Sequence, residues 1–263
     1  VSVYTFACMR MEKFRHGRVI FAGDAAHGVS PFGARGANSG VQDADNLGWK
    51  LGLVLRGEAP ISLLDTYAVE REYAADENIL NSTRATDFIT PKSAISRVFR
   101  DAVLSLSKHH AFAQKLVNSG RLSTPSTYLS SPLNTPDSDS FAGLMRPGAP
   151  VADAPVIAND ERHWFLQQVG DRFTTVLFTD TYSPAAEMSD MVVLQVLPAG
   201  ASSSPHANAI VDVEGLLAAR FDARPGTTYL LRPDQHVAAR WREFDPMRVK
   251  AALRRATGQE LSS

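Results

Sequence analysis

Only one cysteine, Cys8, occurs in the 263 residues of this chain. That excludes an intramolecular disulfide, a Cys-x-x-Cys redox pair and a multi-cysteine metal site, so no metal ligand set is expected. No excess of one charge stands out: 27 Lys and Arg oppose 28 Asp and Glu. Neither nucleic acid nor an anionic membrane is therefore implied as a partner. No apolar run approaches the roughly 20 residues of a membrane helix. A secretory leader is not expected either, because Arg10, Glu12, Lys13 and Arg15 interrupt the apolar start. A cytoplasmic location fits these absences. No internal repeat and no G-x-G-x-x-G motif is found. The first residue is Val1 rather than Met, and the expectation is that a preceding part of the protein is missing.

What is present is concentrated in residues 18–57. Six glycines (17, 23, 28, 33, 36 and 40) fall within 24 positions, out of 17 in the whole chain. A short apolar run, Val19 to Ala22, leads into this glycine-rich region, and a helix-period segment follows. Glycine allows positive φ and close backbone approach. A strand, a loop of small residues and a helix N-terminus together outline an anion- or cofactor-binding arrangement.

Along the chain, the pattern predicts a strand over Val1–Met9 and a short buried strand over Val19–Ala22. Asn38 or Ser39 is placed to cap a helix running to Leu55, with Val41, Ala44, Leu47, Gly48, Leu51 and Leu55 on one buried face. Further helices are predicted near 62–88, 93–106 and 109–117, with apolar Ile95, Val98, Phe99 and Ala102 in the 93–106 helix. Residues 119–154 form a linker or extended wrap, because six prolines (125, 132, 136, 147, 150 and, at the edge, 155) interrupt any periodicity. Beyond Val156 strands and helices alternate. Helix is expected at 163–169, 185–191, 215–221 and 246–257, and strand at 173–178, 192–197, 209–213, 228–232 and 236–241. The fold class is α/β, with a compact layered domain at the end.

Gly23-Asp24-Ala25-Ala26-His27, then Pro31-Phe32-Gly33-Ala34-Arg35-Gly36-Ala37-Asn38, then Gln42-Asp43-Ala44-Asp45-Asn46-Leu47-Gly48-Trp49-Lys50-Leu51 resembles the FAD-dependent aromatic hydroxylases. These are the group A flavoprotein monooxygenases of the phenol hydroxylase and 3-(3-hydroxyphenyl)propionate hydroxylase kind. Leu64-Asp65-Thr66-Tyr67-Ala68-Val69-Glu70-Arg71 is similar to the helix that follows there, although Tyr73 and Ala74 stand where a proline often comes. The stretches from Arg146 to Pro150 and from Leu230 to Arg240 are similar to the family's thioredoxin-like tail domain. The resemblance implies three parts: the C-terminal part of an FAD-binding and substrate domain (1–118), a linker (119–154), and a thioredoxin-like domain without redox cysteines (155–263). The family's ADP-binding fingerprint has no counterpart here, so the chain resembles the C-terminal half of a larger hydroxylase.

The resemblance further implies FAD as cofactor, NAD(P)H as reductant and O2 as the source of an oxygen placed on an aromatic, usually phenolic, substrate. Its cofactor contacts fall on Gly23, Asp24, Pro31, Gly33, Gly36, Ala37 and Asn38. Asp24 would accept from the ribityl hydroxyls, and the backbone N–H groups of Gly36, Ala37 and Asn38 would face the flavin pyrimidine edge. The plainer alternatives are that Asp24 caps its turn and that Asn38 is only the helix cap. His27 is expected to make a structural hydrogen bond rather than to transfer protons. Asp43 is read, with Gln42, Asp45 and Asn46, as part of a polar helix face, with Asp43 a candidate anchor for the loop. Arg35 is expected to be solvated, Cys8 to be a small core residue, and Lys108, His109 and His110 to form a basic surface. No catalytic residue is identified. The missing N-terminal half and a homodimer are the implied protein partners. The alternative to an enzyme is a non-catalytic scaffold or dimerisation module.

Overall fold

A computed structural model describes residues 7–31, 35–117, 124–186, 188, 191–201 and 208–260. The chain divides into two compact units, residues 1–48 with 67–126, and residues 49–66 with 127–263.

The first unit opens on short hairpin pieces. β1 (Met9–Arg10) pairs antiparallel with β4 (His27–Gly28), and β2 (Arg15–His16) pairs with β3 (Val19–Ile20). Residues 1–6 of the expected first strand lie outside the described residues; Met9 is in β1. The strand expected over 19–22 is shorter, because the chain turns at Gly23 into a 3-10 turn, Gly23–Ala25. Four helices follow: α1 (Arg35–Leu55), α2 (Leu63–Ile89), α3 (Ala94–Ser107) and α4 (Ala111–Val117). Ser93 caps α3, its side chain accepting from the Ser96 N–H. Phe14, Ala26, Tyr67 and Ala75 form the buried apolar centre of this unit.

The buried face of α1 is not the expected one. Val41 and Leu55 are 69% and 77% exposed, while Arg35, Ser39, Asp43, Asn46 and Lys50 are buried. These five recur at spacings of three and four, so they share one side of the helix. Periodicity finds the two faces of a helix correctly; which face is covered depends on what the neighbouring helix offers. Here α2 offers charge. The apolar side of α3 is likewise uncovered, with Ile95, Val98 and Phe99 exposed.

The second unit is built on β5 (Pro155–Ala158), β6 (Glu161–Trp164), β7 (Thr174–Phe178), β8 (Val192–Pro198), β9 (Ala209–Asp212), β10 (Thr228–Leu231) and β11 (Val237–Trp241). The sheet order is β11-β10-β7-β8-β9-β5-β6. β7, β8 and β9 run parallel, and the strands outside them are antiparallel. Every residue of β7, β10 and β11 is buried, as expected of strands covered on both faces. Val176, Phe178, Tyr229 and Leu231 pack on one side with Phe165 and Phe221, beside α5 (Leu216–Arg220). Leu230 and Trp241 pack on the other against α6 (Pro246–Ala256). Asp245 caps α6, accepting from the Met247 and Arg248 N–H groups.

Residues 163–169, expected to be helical, continue strand β6 and then form a 3-10 turn, Phe165–Gln167. Asn159 and Asp160 both adopt positive φ (51° and 64°) between β5 and β6. Two such residues make the tight turn that suits strand twist. Of residues 185–191, expected to be helical, 185 and 186 lie in a 3-10 turn, Pro184–Ala186, and Met188 and Met191 form an antiparallel β-bridge; 187, 189 and 190 lie outside the described residues.

Residues 127–151 lie along β11 rather than hanging free. The Thr135 N–H donates to the Ala238 carbonyl, the Gly148 N–H to Val237, and the Val237 N–H back to Ala149. Asp137 takes two hydrogen bonds from Arg240, at 2.9 and 2.6 Å.

Candidate functional site

The turn at Gly23 is held from below by one carboxylate. Asp43, fully buried on α1, accepts from the Gly23 N–H at 2.8 Å and from His27 Nε2 at 2.7 Å, both on Oδ2. Its other oxygen accepts from Arg71 Nε of α2 at 2.5 Å. Arg71 also donates to the carbonyl and hydroxyl oxygens of Ser39, and Asn78 donates to the same hydroxyl. Burial pushes the Asp43 carboxyl up, but the hydrogen bond from His27, the Arg71 guanidinium and the Gly23 N–H outweigh it and leave the group below its ordinary value. It is thus a carboxylate inside the protein, stabilised by donors rather than by water.

His27 is 3% exposed and its ring stacks on Phe14, with centroids 5.7 Å apart. Tyr67 Oη donates to the Phe21 carbonyl at 2.8 Å, tying α2 to the strand that enters the turn. Gly23 has φ of 59°. A Cβ placed on Gly40 of α1 would stand 3.4 Å from Gly23 Cα. The turn lies close on the helix, and it is the positive φ that calls for glycine at position 23.

What this clamp leaves outside is Asp24. It is exposed, at the middle of the 3-10 turn, and among the described residues its carboxylate has no hydrogen-bond partner. Pro31 is exposed. Gly36 and Ala37 fall in the first turn of α1, half-buried and exposed respectively. A helix leaves its first four N–H groups without intrahelical partners. Asn38 is exposed and already inside the helix; neither it nor the buried Ser39 is the cap, because α1 begins at Arg35. Gly33 lies outside the described residues.

Other expectations sort similarly. The anchoring role read for Asp43 and the structural role read for His27 are both present. Arg35, expected to be solvated, is buried and donates to the Thr124 carbonyl at 3.0 Å. Cys8 is half-buried, and its Sγ accepts from the Ser30 N–H. Lys108, His109 and His110 are exposed. Glu70 and Arg71, noted in the sequence only as part of a helix, are the polar partners of α1 that periodicity missed. Their signal was complementarity: an acid and a base side by side, opposite Asn46 and Asp43. Among the described residues no group of three His, Cys, Asp or Glu side chains gathers as a metal site, and no helix is long and apolar enough to cross a membrane.

Comparison with known proteins agrees with this picture. Residues 1–82 match the FAD binding domain family, and residues 152–256 match the HcaD C-terminal domain family. The chain is 33% identical over 266 residues to the 6-methylpretetramide 4-monooxygenase of Streptomyces rimosus, covering 96% of this chain and 47% of that protein. It is 31% identical to the 4-methyl-5-nitrocatechol 5-monooxygenase of a Burkholderia species, over 89% of this chain and 42% of that protein. A third relative, a 3-(3-hydroxy-phenyl)propionate/3-hydroxycinnamic acid hydroxylase of Paraburkholderia xenovorans, is 45% identical over 100 residues, 38% of this chain and 16% of that protein. In fold, the flavin-dependent monooxygenase PieE in complex with FAD and substrate matches with a TM-score of 0.74 at 22% identity, over 97% of this chain and 50% of that one.

The fold of this chain corresponds to about half of that flavin-dependent monooxygenase. The chain belongs to the family of FAD-dependent aromatic hydroxylases. It spans about half the length of the curated relatives it matches along most of its length, 47% and 42%.

Proposed function

We propose that this chain supplies the isoalloxazine-side half of an FAD site in a monooxygenase that hydroxylates a small aromatic, phenolic substrate, with NAD(P)H as reductant. The observation that carries the proposal is the clamped turn: Asp43 holds Gly23 and His27 while Asp24 stays exposed and without a partner among the described residues. The residues present suit the group. A free carboxylate accepts from ribityl hydroxyls, and a helix start offers N–H donors and positive potential to an electron-rich ring edge. Among the described residues, the atom nearest a Cβ on Gly36 would be Val29 Cγ2, at 3.8 Å, an ordinary contact. Bound FAD would carry the redox chemistry with O2. The chain's own residues bind and orient: Gly23 and Asp24 at the turn, Pro31 and Gly33 along the loop, Gly36, Ala37 and Asn38 at the helix start.

Residues 1–118 then belong to the FAD and substrate domain, 119–154 connect, and 155–263 form a thioredoxin-like domain that has lost its redox pair. The central parallel strands with an antiparallel hairpin and a closing helix support the last assignment. The preceding half of the protein is the partner of the first part, and the exposed apolar side of α1, with Val41 and Leu55, is a surface for it. A cytoplasmic homodimer completes the proposal. Joined to its preceding half, the protein should be yellow and should consume NAD(P)H and O2 when a phenol is added. A colourless protein that takes up no added FAD would rule the proposal out.

The absence of a G-x-G-x-x-G motif favours a second reading, a non-catalytic scaffold or dimerisation module. Titrating FAD into this chain alone, followed by flavin fluorescence, separates the two: stoichiometric tight binding speaks against the scaffold.

A further inference from the structure

We propose that Asp43 is the positioning residue of the flavin site, setting the turn from which Asp24 is presented. This rests on the proposed flavin-binding role of residues 23–38. Three observations carry it. The Asp43 carboxylate grips the turn on both sides of Asp24, through the N–H of Gly23 immediately before it and the ring of His27 three residues after it. The grip comes from α1, the same helix whose first turn holds Gly36 and Ala37. One rigid element therefore carries one part of the site and fixes the other. Finally, Arg71 occupies the second oxygen at 2.5 Å, so the carboxylate cannot swing away from the turn without leaving a guanidinium buried and short of an acceptor.

Other contacts hold the flanks of the turn: Tyr67 Oη donates to the Phe21 carbonyl, the Met11 N–H donates to the Ala26 carbonyl, and His27 pairs with Arg10 of β1; Asp43 is what reaches the Gly23 N–H itself. Within the turn, the Ala26 N–H to Gly23 carbonyl bond closes the 3-10 turn, but it does not fix where the turn sits. Gly23 and Gly40 meet only as bare backbone. An asparagine at position 43 has one acceptor oxygen for three donors and must turn its NH2 toward Arg71 or toward the Gly23 and His27 donors. It keeps the shape and loses the grip.

The test uses wild type, Asp43→Asn, His27→Gln and, as a control, Asn46→Ala, each carrying the preceding half of the protein. Asn46 bridges α1 to α2 at Glu70, across 2.7 Å. Three quantities are read: the FAD dissociation constant, the melting temperature without FAD, and amide exchange at Gly23. Asp43→Asn should weaken FAD about tenfold or more and speed exchange at Gly23. His27→Gln should act in the same direction with a smaller loss of melting temperature, which keeps the test informative where Asp43→Asn folds poorly. Asn46→Ala should lower the melting temperature with FAD affinity within about twofold of wild type. Unchanged FAD affinity in both turn variants, or a Gly23 amide still protected in Asp43→Asn, overturns the inference. Wild type that binds no FAD is a different failure, and removes the functional proposal together with the inference built on it.

Discussion

Asn46 of α1 donates its amide to Glu70 Oε2 of α2 across 2.7 Å, with both side chains buried. It sits one helical step beyond the Asp43–Arg71 pair, so two adjacent residues of α2, one acidic and one basic, each meet a polar partner on α1. The helix pair is therefore specified by matching of donors and acceptors more than by apolar fit.

That matching sets the first prediction. Arg71→Met removes the guanidinium from a buried carboxylate and should cost about 3–5 kcal/mol of stability, because an unpaired interior charge remains. Asn46→Ala should cost less, about 1–3 kcal/mol. Urea unfolding of each variant against wild type measures both; equal, small effects would contradict the described burial.

A second prediction concerns two glycines with left-handed backbone. At Gly23 a methyl group has room, its nearest neighbour being Gly40 Cα at 3.9 Å. Gly23→Ala should therefore cost only conformational strain, about 1–2 kcal/mol. Gly148 is different: φ is 85° and a Cβ would lie 2.4 Å from the Tyr128 carbonyl oxygen. Gly148→Ala should be the more damaging, with a larger fall in melting temperature.

The third follows from a buried ion pair in the second unit. Arg232 donates to both oxygens of Asp234, at 2.9 and 2.6 Å, and neither side chain reaches solvent appreciably. Burial pushes the Asp234 carboxyl up, but Arg232 and His236 hold it well below the usual range. A carboxylate lowered on folding adds stability above its unfolded pKa, about 3.9, and that stability is lost as pH falls through the folded value. Melting temperature should drop steeply below about pH 4 in wild type. The slope should be shallower in Asp234→Asn, which starts from a lower melting temperature at neutral pH.

The fourth tests the segment along β11. Arg240 pairs with Asp137, and Arg240 and Arg242 lie over the Phe141 ring at 4.3 and 3.7 Å. Phe141→Ala combined with Asp137→Asn should open residues 127–151 to limited proteolysis while the sheet core stays resistant. Cleavage no faster than in wild type would sink the assignment of these contacts as the segment's fastening.

Much of this was legible in residue pattern alone. The helices α1 to α4, the strands from β7 onward and the closing α6 follow from periodicity and from the breaks at Pro60 and Pro91. Two failures have physical causes. Trp164, Phe165 and Leu166 form a short apolar run that suits helix and strand equally, and the deciding signal was the Asn159-Asp160 turn before it. On α1 the buried face is polar, so a rule that buries apolar residues chose the wrong side. At the site, the anchoring Asp43 was readable from the motif; the exposure of Asp24 was not. The starting point of α1 was not, because Gly36 and Ala37 inside a helix look like loop.

The segment along β11 has a further consequence for how the second unit meets other molecules. A sheet's outermost strands ordinarily offer unsatisfied backbone groups to any neighbouring chain. At β11 those groups are taken by Thr135, Gly148 and Ala149. At the opposite margin, β6 carries Glu161 and Arg162, both exposed, and charged side chains there discourage pairing. Strand addition is opposed at both margins, by the bound segment at β11 and by charge at β6, so association of copies of this unit is expected through side chains on its faces.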